Sequence, residues 1–257
     1  MLLLKLLLVP GLVAAVTLAV RRWGPAVGGW LAGLPIVAGP VLVFYAIEQG
    51  NAFAARAAYA TLTGLIATVA FALAYARCSV RLPWYTSVAA GWTAYAAAVF
   101  ALYGLQPALV PSLVSLVAAT VLGRRALPRL ATAAEPVEQP RNDLAIRLVA
   151  TATLVFVLTG LAERLGPTLS GLFNAFPVLT TIIAAFTHAQ HGRAAVVAFL
   201  NGFLRVVVGF GLFCLAMALA LTPLGLARAL MVALAVQLTA HGFLLWGTAR
   251  SASSAGP

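Results

Sequence analysis

Acidic residues are scarce in this chain, five in 257 positions against sixteen lysines and arginines. All five, Glu48, Glu135, Glu138, Asp143 and Glu163, fall in a polar connector or near the ends of apolar runs. That leaves no carboxylate pair for general acid–base work inside an apolar segment. HExxH, GxSxG and nucleotide-loop patterns are missing as well, so the chain is not expected to be an enzyme. Two cysteines, Cys78 and Cys214, are too few and too far apart for a disulfide framework or a metal cluster, and no metal or cofactor is expected. Charge of either sign is scarce too: 8% of residues, where soluble domains carry about 25%. With 63% apolar residues, an aqueous fold is excluded.

What is present is hydrocarbon in long runs. Stretches of roughly 20 mostly apolar residues recur along the whole length, each enough to cross a layer of about 30 Å as a helix. Segments such as Ala57 to Ala76 are apolar on every side. A transmembrane barrel would alternate apolar and polar residues, which excludes that architecture. The expected fold is an all-α polytopic membrane protein of about nine transmembrane helices, at 2–20, 25–47, 54–76, 83–103, 105–122, 144–162, 167–189, 194–221 and 225–247. The first run resembles a secretory leader, but its repeat counterpart is internal, so it is read as a retained span.

The net charge of +11 does not imply nucleic acid, because the basic residues are scattered between spans with no folded basic face. They report sidedness instead. Nine spans put Arg21, Arg22, Arg77, Arg81, Arg124, Arg125, Arg129, Arg141, Arg147, Arg193 and Arg250 on one side. Lys5, Arg56, Arg164 and Arg228 fall on the other. By the positive-inside rule the C-terminus is cytoplasmic and the N-terminus outside.

The chain also repeats itself. "GPAVGGWLAGLP" at 24–35 returns as "GPTLSGLFNAFP" at 166–177, 142 positions later. Without a gap, 2–52 align with 144–194, and the matches include Thr17/Thr159, Arg22/Arg164, Gly24/Gly166, Pro25/Pro167, Gly29/Gly171, Pro35/Pro177 and Gly50/Gly192. "TAY" at 93–95 meets "TAH" at 239–241 after a shift of four. The expected organisation is a four-helix repeat at 1–104, a linking helix and cytoplasmic connector at 105–143, a second four-helix repeat at 144–250 and a disordered tail at 251–257. One helix between the repeats inverts the second relative to the first, the plan of many secondary transporters.

The repeat accounts for its own punctuation. Pro35 and Pro177 lie ten residues, about 15 Å, beyond the start of their helices, near the membrane midplane. Each is expected to bend or break its helix and to leave the carbonyls of Leu31 and Phe173 without helical partners. Polar backbone at that depth is tolerated where it is buried in protein or lines a cavity. Simple kinks between closely packed helices are the alternative.

Arg205 lies twelve residues, roughly 18 Å, beyond Arg193 and is expected deep in the hydrocarbon layer. Asn201 is one turn away on the same face, with Gly202 and Gly209 giving room, a combination suited to gripping an anion. Donation from Arg205 to freed carbonyls is the alternative. The candidate substrate-binding set is Arg205, Asn201, Asn174, Pro35, Pro177, His241 and Tyr95, with Gln237 one turn before His241 on a polar seam.

Lys5, the basic turn Arg21–Arg22 and "AGLPIVAGPVLVFYA" resemble the GlpM-like family of small bacterial four-helix membrane proteins. The second half follows the plan more loosely through Arg147, Arg164 and "SGLFNAFPVL", with Asn174 in place of a small residue and Glu163 in place of the second basic residue. The resemblance implies a four-helix unit in the bacterial inner (plasma) membrane and no firm activity. Taken together, the sequence points to a membrane transporter of a small anionic substrate by alternating access at a midplane site. The alternative is an anion channel, or an accessory membrane subunit of an envelope-building complex. The expected partners are a small-molecule or ion substrate and the lipid bilayer, with room for a homo-oligomer.

Overall fold

A computed structural model describes residues 2–105, 108–130, 148–150, 153 and 166–253, and the side chains within them except at 2–10, 13, 166–167 and 244–253. Among the described residues the chain is helical and contains no strand. The helices are α1 (Leu2–Trp23), α2 (Pro25–Ala32), α3 (Ala38–Gln49), α4 (Asn51–Cys78), α5 (Trp84–Leu105), α6 (Leu109–Arg125), α7 (Gly166–Asn174) and α8 (Val178–Ser253). Gly192 and Gly225 interrupt α8 with non-helical backbone, dividing it into α8a (178–191), α8b (193–224) and α8c (226–253).

Three helical stretches are long and apolar enough to cross a membrane: Asn51–Cys78, Trp84–Leu105 and Thr168–Phe243, with an 18-residue window in each of mean hydropathy 1.8, 1.5 and 2.3. That is fewer than the nine expected spans, and the nine-span arrangement is not shown: α1 and α6 are not among the three, α6 having only 17 residues. The predicted second span is cut into α2 and α3, each too short alone. Three predicted spans run together in the last stretch. The predicted sixth span, 144–162, lies almost wholly outside the described residues, as do the connector from 131 to 143 and the tail at 254–257, whereas 251–253 continue α8c.

The breaks have visible chemical causes. Gly50 and Gly192 adopt φ 87°, ψ 163° and φ 76°, ψ −175°, a region open essentially to glycine alone. They are equivalent positions in the repeat, and at each the chain turns sharply from one helix into the next. Between α2 and α3 the proline at 35 has no N–H to give, and helical bonding lapses from 33 to 37. The same lapse follows α7 at 175–177, where Pro177 plays the same part.

α4 and α8b form the centre. Ala57, Leu62, Phe71 and Tyr75 on α4 and Phe199, Leu200, Leu204 and Met217 on α8b are fully buried. α5 and α8c lie outside them and expose Phe100, Tyr103, Leu238 and Phe243. Large apolar side chains facing outward fit a hydrocarbon surround. At one end, Arg77 donates from Nε to the Ala126 carbonyl (3.5 Å), and Arg193 donates from Nη1 to the Val80 carbonyl (3.1 Å). The end of α4, the end of α6 and the start of α8b therefore share one face of the bundle, and their arginines gather there.

Glycine makes the interior contacts possible. A Cβ on Gly29 of α2 would overlap the Phe199 carbonyl of α8b, and one on Gly171 of α7 would overlap the Ala57 carbonyl of α4. A Cβ on Gly192 would meet nothing within 4 Å, so its substitution costs only backbone strain, of order 1–3 kcal/mol. Thermal unfolding in detergent is expected to rank Gly171→Ala below Gly192→Ala and Gly192→Ala below wild type. Gly242→Ala, on an open helical surface, leaves the midpoint unchanged or slightly raised.

Candidate functional site

The two breaks meet. A cavity of about 40 Å³ lies between them, lined by Ala32, Val37 and Ala38 from the first interruption, Asn174 to Thr180 from the second, Thr68 of α4, and Phe203 and Phe210 of α8b. This is room for about one water or one compact ion. α3 begins at Ala38 and α8a at Val178, while α2 ends at Ala32 and α7 at Asn174, so two half-helix N-termini and two C-termini border the cavity.

The carbonyls expected to be stranded by the prolines are in fact satisfied. Leu31 accepts from the Leu34 N–H (3.1 Å), and Phe173 accepts from the Phe176 N–H (3.0 Å). Each break tightens into a three-residue closure just ahead of its proline, which removes the orphan the missing N–H would leave. Carbonyls of α7 and of the break after it also accept from side chains of other helices, the Thr61 proton being shared with its own Ala57 carbonyl. Thr61 donates to the Gly171 carbonyl (3.1 Å), Thr68 to the Ala175 carbonyl (2.7 Å) and Tyr95 to the Leu172 carbonyl (2.6 Å). Asn174 Nδ2 donates to the Ala38 carbonyl (3.4 Å) and to Thr61 Oγ1 (3.2 Å), tying the end of α7 to the start of α3.

The contacts of the two interrupted helices correspond across the repeat. Gly29 meets Phe199, and Gly171 meets Ala57. Gly33 meets Val206, while Ala175 meets Gly64. On α6, Gly123 lies against Val69 and Leu204, whereas Gly211 lies against Leu116 and Leu62. In every case the partners exchange at the sequence offset of 142. Tyr95 reaches Leu172 on α7, and its counterpart His241 packs edge-on against Trp30 on α2, with ring centroids 5.4 Å apart.

The seven residues singled out from sequence do not converge on one point. Asn174 and Pro177 line the cavity between the breaks. Pro35 lines an apolar cleft with Phe44, Phe213 and Leu230 on the other side of its own break. Tyr95 and His241 flank the interrupted helices from α5 and α8c. His241 Nδ1 lies 2.9 Å from the Gln237 backbone carbonyl, which can only accept, so Nδ1 donates there. Nε2 and both amide atoms of Gln237 are buried without a hydrogen-bond partner among the described residues.

Arg205 and Asn201 belong elsewhere. Arg205 is exposed and lines no part of the cavity between the breaks. Its charge is felt at Arg124, whose guanidinium is held below its ordinary value by partial burial and then by repulsion from Arg205. The glycines expected to give Arg205 room serve helix packing instead: Gly202 takes the Ala26 carbonyl and Gly209 takes the His241 ring. Long helical side chains lean toward the N-terminus of their helix, which carries the Arg205 head toward the arginine-rich end.

Thr61, Thr68 and Trp92, whose indole Nε1 donates to Thr181 Oγ1 (3.3 Å), are additions to the set. A threonine in an apolar helix is an inconspicuous signal, because it satisfies itself on its own helix, as Thr61 does on the Ala57 carbonyl (2.8 Å). Tyr95→Phe and Thr68→Val are each expected to lower stability by about 0.5–2 kcal/mol in thermal unfolding, the usual range for an interhelical bond. His241→Phe is expected to cost less than either, since no carbonyl of another helix depends on it. The chain matches no protein-family model, no curated protein and no solved structure.

Proposed function

We propose that the protein is a secondary transporter that carries a small anionic substrate by alternating access at a site near the membrane midplane. In this reading the chain crosses the inner membrane nine times as two inverted four-helix repeats joined by α6, each repeat a counterpart of the GlpM-like unit. The observation that carries it is the meeting of two equivalently interrupted helices around one small cavity, with neighbours that exchange at the repeat offset. Contacts that swap in this way are what a pseudo-two-fold axis in the membrane plane generates.

The chemistry of the cavity favours an anion. Its lining contains no carboxylate to repel one, and Thr68, Asn174 and Thr180 are its polar side chains, with helix N-termini at Ala38 and Val178 opposed by C-termini at Ala32 and Asn174. A volume of about 40 Å³ fits an occluded site for one compact ion better than a conducting pore, which favours a carrier over a channel. Each interrupted helix also packs against the central helix of the opposite half, α2 on α8b and α7 on α4. Rocking one half against the other would then move both breaks together and open the cavity to alternate sides. The shared face of Arg77, Arg124 and Arg193 supports a cytoplasmic assignment for that end.

Two measurements test the proposal. In vesicles loaded with halide, bicarbonate or a small carboxylate, wild type is expected to carry at least one of these anions at a saturable rate. Asn174→Leu, which fills the cavity, should lower that rate at least tenfold, while Arg56→Gln leaves it unchanged. Equal flux in wild type and Asn174→Leu would remove the cavity from the mechanism. In a background lacking Cys78 and Cys214, Leu82→Cys is expected to label from the cytoplasmic side and Gln49→Cys from outside. Labelling of both from one side overturns the topology.

A further inference from the structure

A second recess in the protein is distinct from the cavity between the breaks. It holds about 620 Å³ at the arginine-rich end, between the last turn of α6 with the segment that follows it and the first three turns of α8b. Arg124, Arg125 and Arg129 line it, together with Asn201, and Leu127 and Val197 supply an apolar wall. Arg205 stands one turn beyond Asn201 on the same helix face and close enough to oppose Arg124. Three guanidiniums from the end of α6 and the segment after it, and one amide from α8b, thus line a space of ligand size.

The C-terminal carbonyls of α6 attract cations, and that attraction accounts for Arg124 and Arg125 in its last turn. It does not reach Arg129, four residues past the helix end, or Arg205 on α8b. Those two add like charge at a place where Arg124 is already partly desolvated, which is unfavourable until an anion arrives. A guanidinium presents paired N–H donors in one plane, the match for the oxygens of a phosphate. The apolar wall beside the arginines suits the carbon framework to which a phosphate is attached. Basic pockets between membrane helices at the cytoplasmic surface hold phosphate headgroups elsewhere.

We propose that this recess is a binding site for a phosphate-bearing ligand, gripped by Arg124, Arg125 and Arg129 with Asn201 as a neutral donor. The site is independent of the transport reading. The phosphate reaches it either on an anionic lipid or on a soluble ester, and the test separates the two.

Full-length protein in nanodiscs of pure phosphatidylcholine is titrated with inorganic phosphate and glycerol 3-phosphate, following the unfolding midpoint. In parallel, protein purified from mixed phosphatidylcholine–phosphatidylglycerol vesicles is weighed by native mass spectrometry for retained lipid. Saturable stabilisation by the soluble probes assigns a soluble source. Retained phosphatidylglycerol without that stabilisation assigns the lipid. In either case Arg125→Gln with Arg129→Gln is expected to weaken binding at least tenfold, Arg129→Lys to restore part of it, and Arg56→Gln with Arg228→Gln to leave it unchanged. Helical circular dichroism and monodisperse elution establish that the variants fold.

Failure of wild type to bind either class, or undiminished binding by the double variant, overturns the proposal. So does a loss of stability on Glu135→Gln, Glu138→Gln and Asp143→Asn equal to that caused by removing the arginines, since the recess would then be the seat of an internal ion pair. Anion flux is read separately. Phosphate binding without flux sinks the transport reading alone, and flux without phosphate binding sinks this one alone.

Discussion

A proline halfway along an apolar helix leaves polar backbone where there is no water to satisfy it, and the architecture is organised around meeting that demand twice. At Pro35 and Pro177 the preceding N–H swings one position short to close on Leu31 and Phe173, so the last turn of each half-helix tightens. Carbonyls of α7 and the break beyond it also take donors from α4 and α5, and those donors reach them because backbones come unusually close. Gly29, Gly33, Gly64 and Gly171 permit that approach, each lying where a side chain would collide with a neighbouring helix. Proline, glycine and hydroxyl donor thus form one physical unit.

The two interrupted helices are equivalent in position and unequal in how they are held. α7 is anchored by three side chains that hydrogen-bond to its backbone or to the break beyond it: Thr61, Thr68 and Tyr95. The corresponding positions facing α2 are Phe203, Phe210 and His241, which offer ring faces and edges in place of hydroxyls. Hydrogen bonds fix direction as well as distance, whereas apolar contacts allow sliding. α2 therefore has the less directional attachment of the pair.

Charge is segregated as sharply as polarity. The cavity at the breaks is framed by half-helix dipoles and neutral side chains, while the guanidiniums gather at one end of the bundle, on α4, on α6 and at the start of α8b. Arg205 links these zones through its backbone, which sits a third of the way along α8b, and its head, which lies within reach of the Arg124 charge. A cation in a membrane helix is costly at depth, and a long aliphatic stem lets it keep its place in the helix while its charge moves toward the surface.

Much of this was legible in the residues themselves. The helical class follows from unbroken apolar runs, and the breaks follow from Pro35 and Pro177, because proline lacks a donor in any surroundings. The sharp turns at Gly50 and Gly192 follow from the repeat. Those properties are local, so the sequence by itself determined them. The tertiary structure alone decided which polar groups share a site. It separated Arg205 and Asn201 from Asn174, turned Pro35 toward an apolar cleft, and recruited Thr61 and Thr68, more than a hundred residues from the carbonyls they serve. Position along a helix axis can be counted from sequence, but the direction in which a flexible stem carries its charge, and the carbonyl a hydroxyl finds, depend on which helices lie alongside.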